Sequence, residues 1–181
     1  MARPVALPTI SEDSALGGTV IEKSLRFNDG DNAYLSRTPS GVGNRRKWTF
    51  SCWVKRTHHL AYHSLFGAKQ GGTNNVDYLV WWTDDTLAFT NYNSSNYKVR
   101  TAAKYRDTNS WYHIVLSVDS EQGTASNRVK MYVNGSQVTS FADVAYPSQN
   151  YDFEINRNVP QYIGYNTYNY MDGYMANIHH V

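Results

Sequence analysis

Residues 111–138 read WYHIVLSVDSEQGTASNRVKMYVNGSQV, and this stretch restricts the fold more than any other. With a period of two, Tyr112, Ile114, Leu116 and Val118 share one face and His113, Val115, Ser117 and Asp119 the other, the pattern of a half-buried strand. Val129, Met131 and Val133 repeat it against Arg128, Lys130 and Tyr132. Residues 120–127 form a polar loop around Gly123. Asn134-Gly135 is the dipeptide that type I′ turns favour, because both central residues take positive φ. The expected unit is strand, loop, strand, tight turn, strand.

The same period runs through most of the chain. It predicts strands near Leu25 and Phe27, Tyr34 and Leu35 as the return strand after the turn Asn28-Asp29-Gly30-Asp31-Asn32, then residues 48–55, 64–68, 77–82, 87–89, 97–102, 160–165 and 173–181. Residues 140–158 read as a long loop, with one short strand around 153–155. Tyr and Asn are abundant and Glu is scarce, the reverse of what long helices require. An all-β, two-sheet antiparallel sandwich is the expected architecture. Residues 1–22 show no alternation and carry two prolines and Gly17-Gly18, so they are expected to be an extended arm before a domain at 23–181. The apolar Val5, Leu7, Ile10 and Leu16 make that arm a docking segment in this reading.

Several of these stretches resemble one family. The run Trp-aromatic-His followed by an apolar strand and VKMYVNG, the aromatic-alternating WTFSCWVK at 48–55, and YIGYNTYNYMDGYMANIHHV at the end are similar to the laminin G-like, concanavalin A-like jelly rolls. The likeness covers residues 24–181 and implies that the opening strand pairs with the closing one near Asp172. SLRFN and WTFSCWVKR resemble in particular the laminin G-like domains of marine tailed-bacteriophage virion proteins. That resemblance implies a non-enzymatic structural part of the virion surface, made in the host cytoplasm. It would be a tail-fibre or appendage module or a capsid decoration protein, held by its arm to other virion proteins, homo-oligomeric, and able to contact host surface glycans. A carbohydrate-binding module is the alternative and a glycoside hydrolase a weaker one. A fold shared by many activities does not choose among them.

Composition limits the rest. A net charge of +2 with 18% charged residues does not suggest a nucleic-acid partner, and Arg45-Arg46-Lys47 reads as a solvated strand edge. No apolar run is long enough for a membrane span or a signal segment. The single cysteine, Cys52, alternates with Trp48, Phe50 and Val54, so it is expected in the core of a protein folded under reducing conditions.

Three constellations bear on chemistry. The glucanase branch of the fold carries Glu-x-Asp-x-x-Glu, which this sequence lacks, and Asp84-Asp85 read as turn residues, so no catalytic residues are assigned. Asp29 and Asp31, with Asp172 if the termini pair as the resemblance implies, offer oxygen ligands suited to Ca²⁺, although Asp-Gly and Asp-Asn are also ordinary turn chemistry. No other cofactor is implied. Trp53, Tyr78, Trp82 and Tyr132 fall on strand faces opposite Cys52, Leu79, Trp81 and Met131, so one sheet face should display rings. Tyr92 and Tyr97 flank a polar turn, and Asp84 and Asp85 add carboxylates. Rings beside amides and carboxylates suit sugars, rings alone suit a protein interface, and rings under folded-over loops would be a second core layer.

Overall fold

The computed structural model describes residues 21, 23–71, 75–92 and 96–181. The expected arm, with Val5, Leu7, Ile10 and Leu16, lies outside the described residues apart from Ile21. The strands are β1 (Leu25–Phe27), β2 (Leu35–Arg37), β3 (Lys47–Arg56), β4 (His63–Lys69), β5 (Val76–Trp81), β6 (Thr86–Asn91), β7 (Lys98–Lys104), β8 (Tyr112–Asp119), β9 (Val129–Val133), β10 (Ser136–Gln137), β11 (Phe141–Ala145), β12 (Gln161–Ile163) and β13 (Gly173–His180).

They form two antiparallel sheets. The first has six strands in the order β1-β13-β3-β8-β9-β10, and the second has seven in the order β11-β7-β6-β5-β4-β12-β2. The 111–138 unit forms as its pattern requires: β8 and β9 pair Leu116 with Met131 and Val118 with Val129, so alternate residues share the buried face. Asn134 and Gly135 take φ of 50° and 79° between β9 and β10. The opening strand pairs with the closing one, Phe27 opposite Gly173.

The core lies between the sheets. Trp48, Phe50, Cys52, Val54, Ile114, Leu116 and Met131 from the first meet Phe66, Leu79, Trp81, Leu87, Phe89 and Val99 from the second. Phe50 stacks on Phe66 at 4.6 Å, and Trp48 meets Phe66, Phe89 and Phe153 edge-on, the arrangements that ring quadrupoles favour. Cys52 is buried and free.

Three expectations need correction. Tyr34 and Leu35 do not return beside β1: β2 crosses to the second sheet and pairs with β12, which leaves Leu25 and Leu35 about half exposed at 47% and 48%. Residues 153–155 form no strand; Phe153 and Ile155 instead plug the core from a turn, held by Arg45 donating to the Phe153 carbonyl at 2.6 Å. The strand in this region is β11, which extends the second sheet by pairing with β7. Its sequence, Phe-Ala-Asp-Val-Ala, shows no clean alternation because all of it is exposed or half-buried.

Candidate functional site

Register alone builds a surface on the outer face of the second sheet. Tyr162, Gly67, Tyr78, Thr90 and Lys98 stand side by side across β12, β4, β5, β6 and β7, and directly opposed residues of antiparallel strands share a face. The next row brings Val80, Ala88, Arg100 and Asp143 together. At Gly67 a Cβ would meet Asn166 Cα and Cβ at 3.4 Å, so the loop of residues 164–172 is laid across the strand there. That loop parts two groups of rings.

On one side Tyr34, Tyr162, Tyr165 and Tyr170 pack together, with Tyr165 and Tyr170 stacked at 4.4 Å. Burial first, then the neighbouring Tyr170 hydroxyl, pushes Tyr165 up to about 12. On the other side Tyr92 stacks on Tyr168 at 4.9 Å and Tyr62 meets Trp82 edge-on at 5.3 Å. Tyr78 belongs to this group, its hydroxyl pushed up to about 12 by burial and then by Tyr62, Tyr168 and Tyr92. Trp82 lies under Lys98 Nζ at 4.8 Å and Arg100 Cζ at 6.0 Å, and Tyr168 under Lys69 Nζ at 5.3 Å. Val80 and Ala88 in the second row are closed to solvent although they point outward. Tyr168 and Tyr62 keep 43% and 37% of their surface exposed.

The charges here are organised. Arg100 donates to Asp84 at 2.8 Å and to Asp143 at 2.6 Å, while Lys98 reaches Asp143 at 3.3 Å. Asp84 also accepts from the Thr86 hydroxyl at 2.6 Å. Burial opposes its ionisation, but Thr86 and Arg100 hold its carboxyl below the ordinary value.

Of the residues expected to form one aromatic face, only Tyr78, Trp82, Tyr92 and Asp84 meet here. Trp53 and Tyr132 lie on the outer face of the first sheet, where Trp53 packs on His113 at 5.0 Å and Tyr132 stands opposite Val115. Alternation shows which residues turn outward but not which of two sheets carries them. Tyr97 is fully buried against Phe89 and Phe153 and donates to Asp77. Asp85 is closed to solvent, bonded to Arg56 at 3.1 Å and to the Leu60 N–H at 3.0 Å. Neither is a surface group. Tyr62, Tyr168, Lys69, Lys98 and Arg100 complete the site. Lys98 and Arg100 flank the inward Val99, and that alternation was the available signal.

Of the expected oxygen ligands, Asp29 and Asp172 come together and His58 joins them, with one ligand atom of each within 4.8 Å of the others. Asp31 turns away to accept from Asn28. Next to this group His63 is buried, and burial, then His58 and Arg56, push its imidazole down to about 4.

A jelly-roll sandwich with an aromatic and basic outer face is the class of protein these features define. Residues 29–180 match the Laminin_G_3 family, described as the Concanavalin A-like lectin/glucanases superfamily. The chain belongs to that family. Among solved structures it is similar to domains LG4-5 of the mouse laminin α1 chain, with 15% identity and a TM-score of 0.61, covering 90% of this chain and 42% of that one. It is also similar to domain 4 of AbnA, an extracellular arabinanase from Geobacillus stearothermophilus, solved in complex with arabinotriose. There the identity is 19% and the TM-score 0.57, over 85% and 73% of the two chains. The CBM40 of Ruminococcus gnavus IT-sialidase matches with 13% identity and a TM-score of 0.52 over 81% and 89%. At such identities the likeness is one of fold. No curated protein sequence matches the chain.

Proposed function

We propose that this chain is a non-enzymatic glycan-binding module and that the outer face of its second sheet takes the sugar. The observation that carries this reading is the group Tyr62, Trp82, Tyr78, Tyr92 and Tyr168, with Lys69, Lys98 and Arg100 laid over two of its rings. Ring faces stack on the C–H faces of pyranoses, and the paired Arg100, Asp84 and Asp143 offer donors and acceptors to hydroxyls. The arabinotriose complex of AbnA domain 4 and the CBM40 of a sialidase lend the reading support, since both share this fold. A hydrolase would need two carboxyl groups free to flank a glycosidic bond. Among the described residues, the carboxylates of this face, Asp84 and Asp143, are both held by Arg100.

A glycan array followed by calorimetry on the best ligand tests the proposal. Trp82→Ala should weaken binding roughly tenfold or more, while Trp53→Ala, on the opposite sheet, should leave it unchanged. Binding lost equally in both variants, or no glycan bound at all, sinks the assignment.

The wider setting we infer is the surface of a tailed-phage virion, as a fibre, appendage or decoration component that contacts host glycans. It rests on the resemblance of SLRFN and WTFSCWVKR to such proteins, with residues 1–22 as the anchor to other virion proteins. Limited proteolysis should show those residues protected in the particle and cut in the isolated protein. Equal cleavage in both removes the anchor.

A further inference from the structure

The strands that close the fold also bring three distant loops to one point. Phe27, Gly173 and Arg56 stand in one row across β1, β13 and β3. The chain next to each end of that row therefore converges: Asp29 two residues after Phe27, Asp172 one before Gly173, and Thr57 and His58 directly after Arg56. We propose that Asp29, His58 and Asp172 form a site for a first-row divalent transition ion of the zinc type, tying the opening turn to the closing strand, with the Thr57 hydroxyl donating to the Asp172 carboxylate beside it.

The imidazole is already spaced for it. One ligand atom each from Asp29, His58 and Asp172 lies within 4.8 Å of the others. His58 Nδ1 is 3.2 Å from Asp172 Oδ2 and 3.3 Å from Thr57 Oγ1, and Thr57 Oγ1 touches Asp172 Oδ2. Ligand atoms bound at about 2.0–2.2 Å around one ion sit about 3.0–3.5 Å from their neighbours, and the two imidazole distances fall in that range. Calcium prefers all-oxygen sets at longer bonds, so a ring nitrogen among the donors selects a borderline ion.

The surroundings hold the carboxylate in place. Arg26 donates to Asp172 Oδ1 at 2.6 Å and the Thr57 hydroxyl donates to Oδ2, which fixes the carboxylate with Oδ2 towards His58. His63 accepts the Asp172 backbone N–H at 3.2 Å, and its ring packs 4.6 Å from that of His58. That ring is buried, and its Nε2 has no hydrogen-bond partner among the described residues. Such outer contacts orient metal ligands. Arg26 also brings a positive charge to the site, which weakens the binding of a cation.

The test is calorimetry and thermal unfolding of the full chain, freed of metal by chelator, with Zn²⁺ and separately Ca²⁺, and with the visible absorption of added Co²⁺ as a ligand-field readout. One Zn²⁺ should bind per chain and raise the melting temperature by about 5 °C at saturating ion. Asp29→Asn and His58→Gln, both at accessible positions, should each weaken binding about tenfold or more, and Arg26→Gln should tighten it. Absence of saturable one-to-one binding in the unmodified chain overturns the proposal. So does Zn²⁺ binding that survives both ligand substitutions, which would place the ion at another histidine, or a preference for Ca²⁺.

Discussion

The Tyr97 hydroxyl donates to the Asp77 carboxylate at 2.8 Å inside the core, with both side chains closed to solvent. The other oxygen of Asp77 accepts the backbone N–H of Glu154, so one carboxyl joins β5, the loop before β7 and the turn that plugs the core. Burial pushes Asp77 up to about 7 even though both donors pull the other way.

A carboxyl whose folded pKa lies above its unfolded one binds more protons when folded, so its contribution is full below about 4 and lost as pH rises through about 7. Asn copies the protonated form, accepting from Glu154 and donating to Tyr97. Asp77→Asn is therefore expected to gain stability relative to the unmodified chain at pH 8 and much less at pH 5. Urea unfolding at the two pH values measures the difference; the same offset at both would show that Asp77 does not titrate there.

Arg56 and Asp85 form a second interior joint, 3.1 Å apart and 1% and 0% exposed. The guanidinium also lies 4.8 Å from the Trp81 ring and donates to the Tyr105 carbonyl. Removing one partner of such a pair strands a buried charge, at a cost of about 3–5 kcal/mol. Arg56→Met should cost towards the lower end of that range, because Arg106 Nε still lies 3.6 Å from the Asp85 carboxylate, and Arg56→Met with Asp85→Asn should recover part of it. Denaturant titration of the two variants checks this, and a double variant no more stable than the single one would mean that the cost of Arg56→Met is not that of a stranded carboxylate.

Much of this was legible in the sequence, and what was not has physical reasons. Half-buried strands announce themselves by alternation, so β3, β8 and β9 could be placed with their faces assigned. Val80 and Ala88 break the rule because they are closed to solvent although they face outward, so the central strands of the second sheet are buried on both sides. Tyr97 and Tyr92 flank the same polar turn, yet one ring enters the core and the other stacks on Tyr168. Their separation depends on long-range packing that period and spacing do not encode. The Arg45-Arg46-Lys47 run read as solvated surface, whereas Arg45 and Arg46 bind residues 152–153. The convergence of Asp29 with Asp172 followed from pairing the first and last strands, while the part of His58 required the register of β3 as well.

Gly173 begins the closing strand at φ 151°, where a Cβ would lie 2.2 Å from the Lys55 carbonyl oxygen and 2.8 Å from the Met171 methyl. Backbone cannot give way there without unpairing β13 from β3. Gly173→Ala should leave little soluble folded protein, whereas Gly41→Ala, with open space around its Cβ, should change stability by less than about 0.5 kcal/mol. Soluble yield and melting temperature separate the two; a normally folded Gly173→Ala would mean that the closing pairing tolerates a shift.

Cys52 sits in the core with no exposed surface, and burial raises its thiol well above the ordinary range. The thiolate is the reactive form, so an aromatic disulfide reagent at pH 8 should label the chain only as fast as it opens. Labelling should become rapid in denaturant. Rapid labelling of the native protein would place Cys52 at an accessible edge.

Tyr97 and Tyr168 offer the sharpest contrast between core and site. Tyr97 is fully buried among Phe89, Tyr151 and Phe153, so Tyr97→Ala should cost about 3–5 kcal/mol, the range for losing a buried ring. Tyr168 leans on Tyr92 with nearly half of its surface in water, so Tyr168→Ala should shift the melting temperature by no more than a few degrees. The proposed glycan contact runs the other way: Tyr168→Ala weakens binding in the folded protein, and Tyr97→Ala acts only through the folded fraction. Melting curves paired with binding isotherms on the same samples resolve the two effects. A Tyr168→Ala chain that binds as tightly as the unmodified one would move the sugar away from the Tyr92–Tyr168 end of the face, towards Trp82.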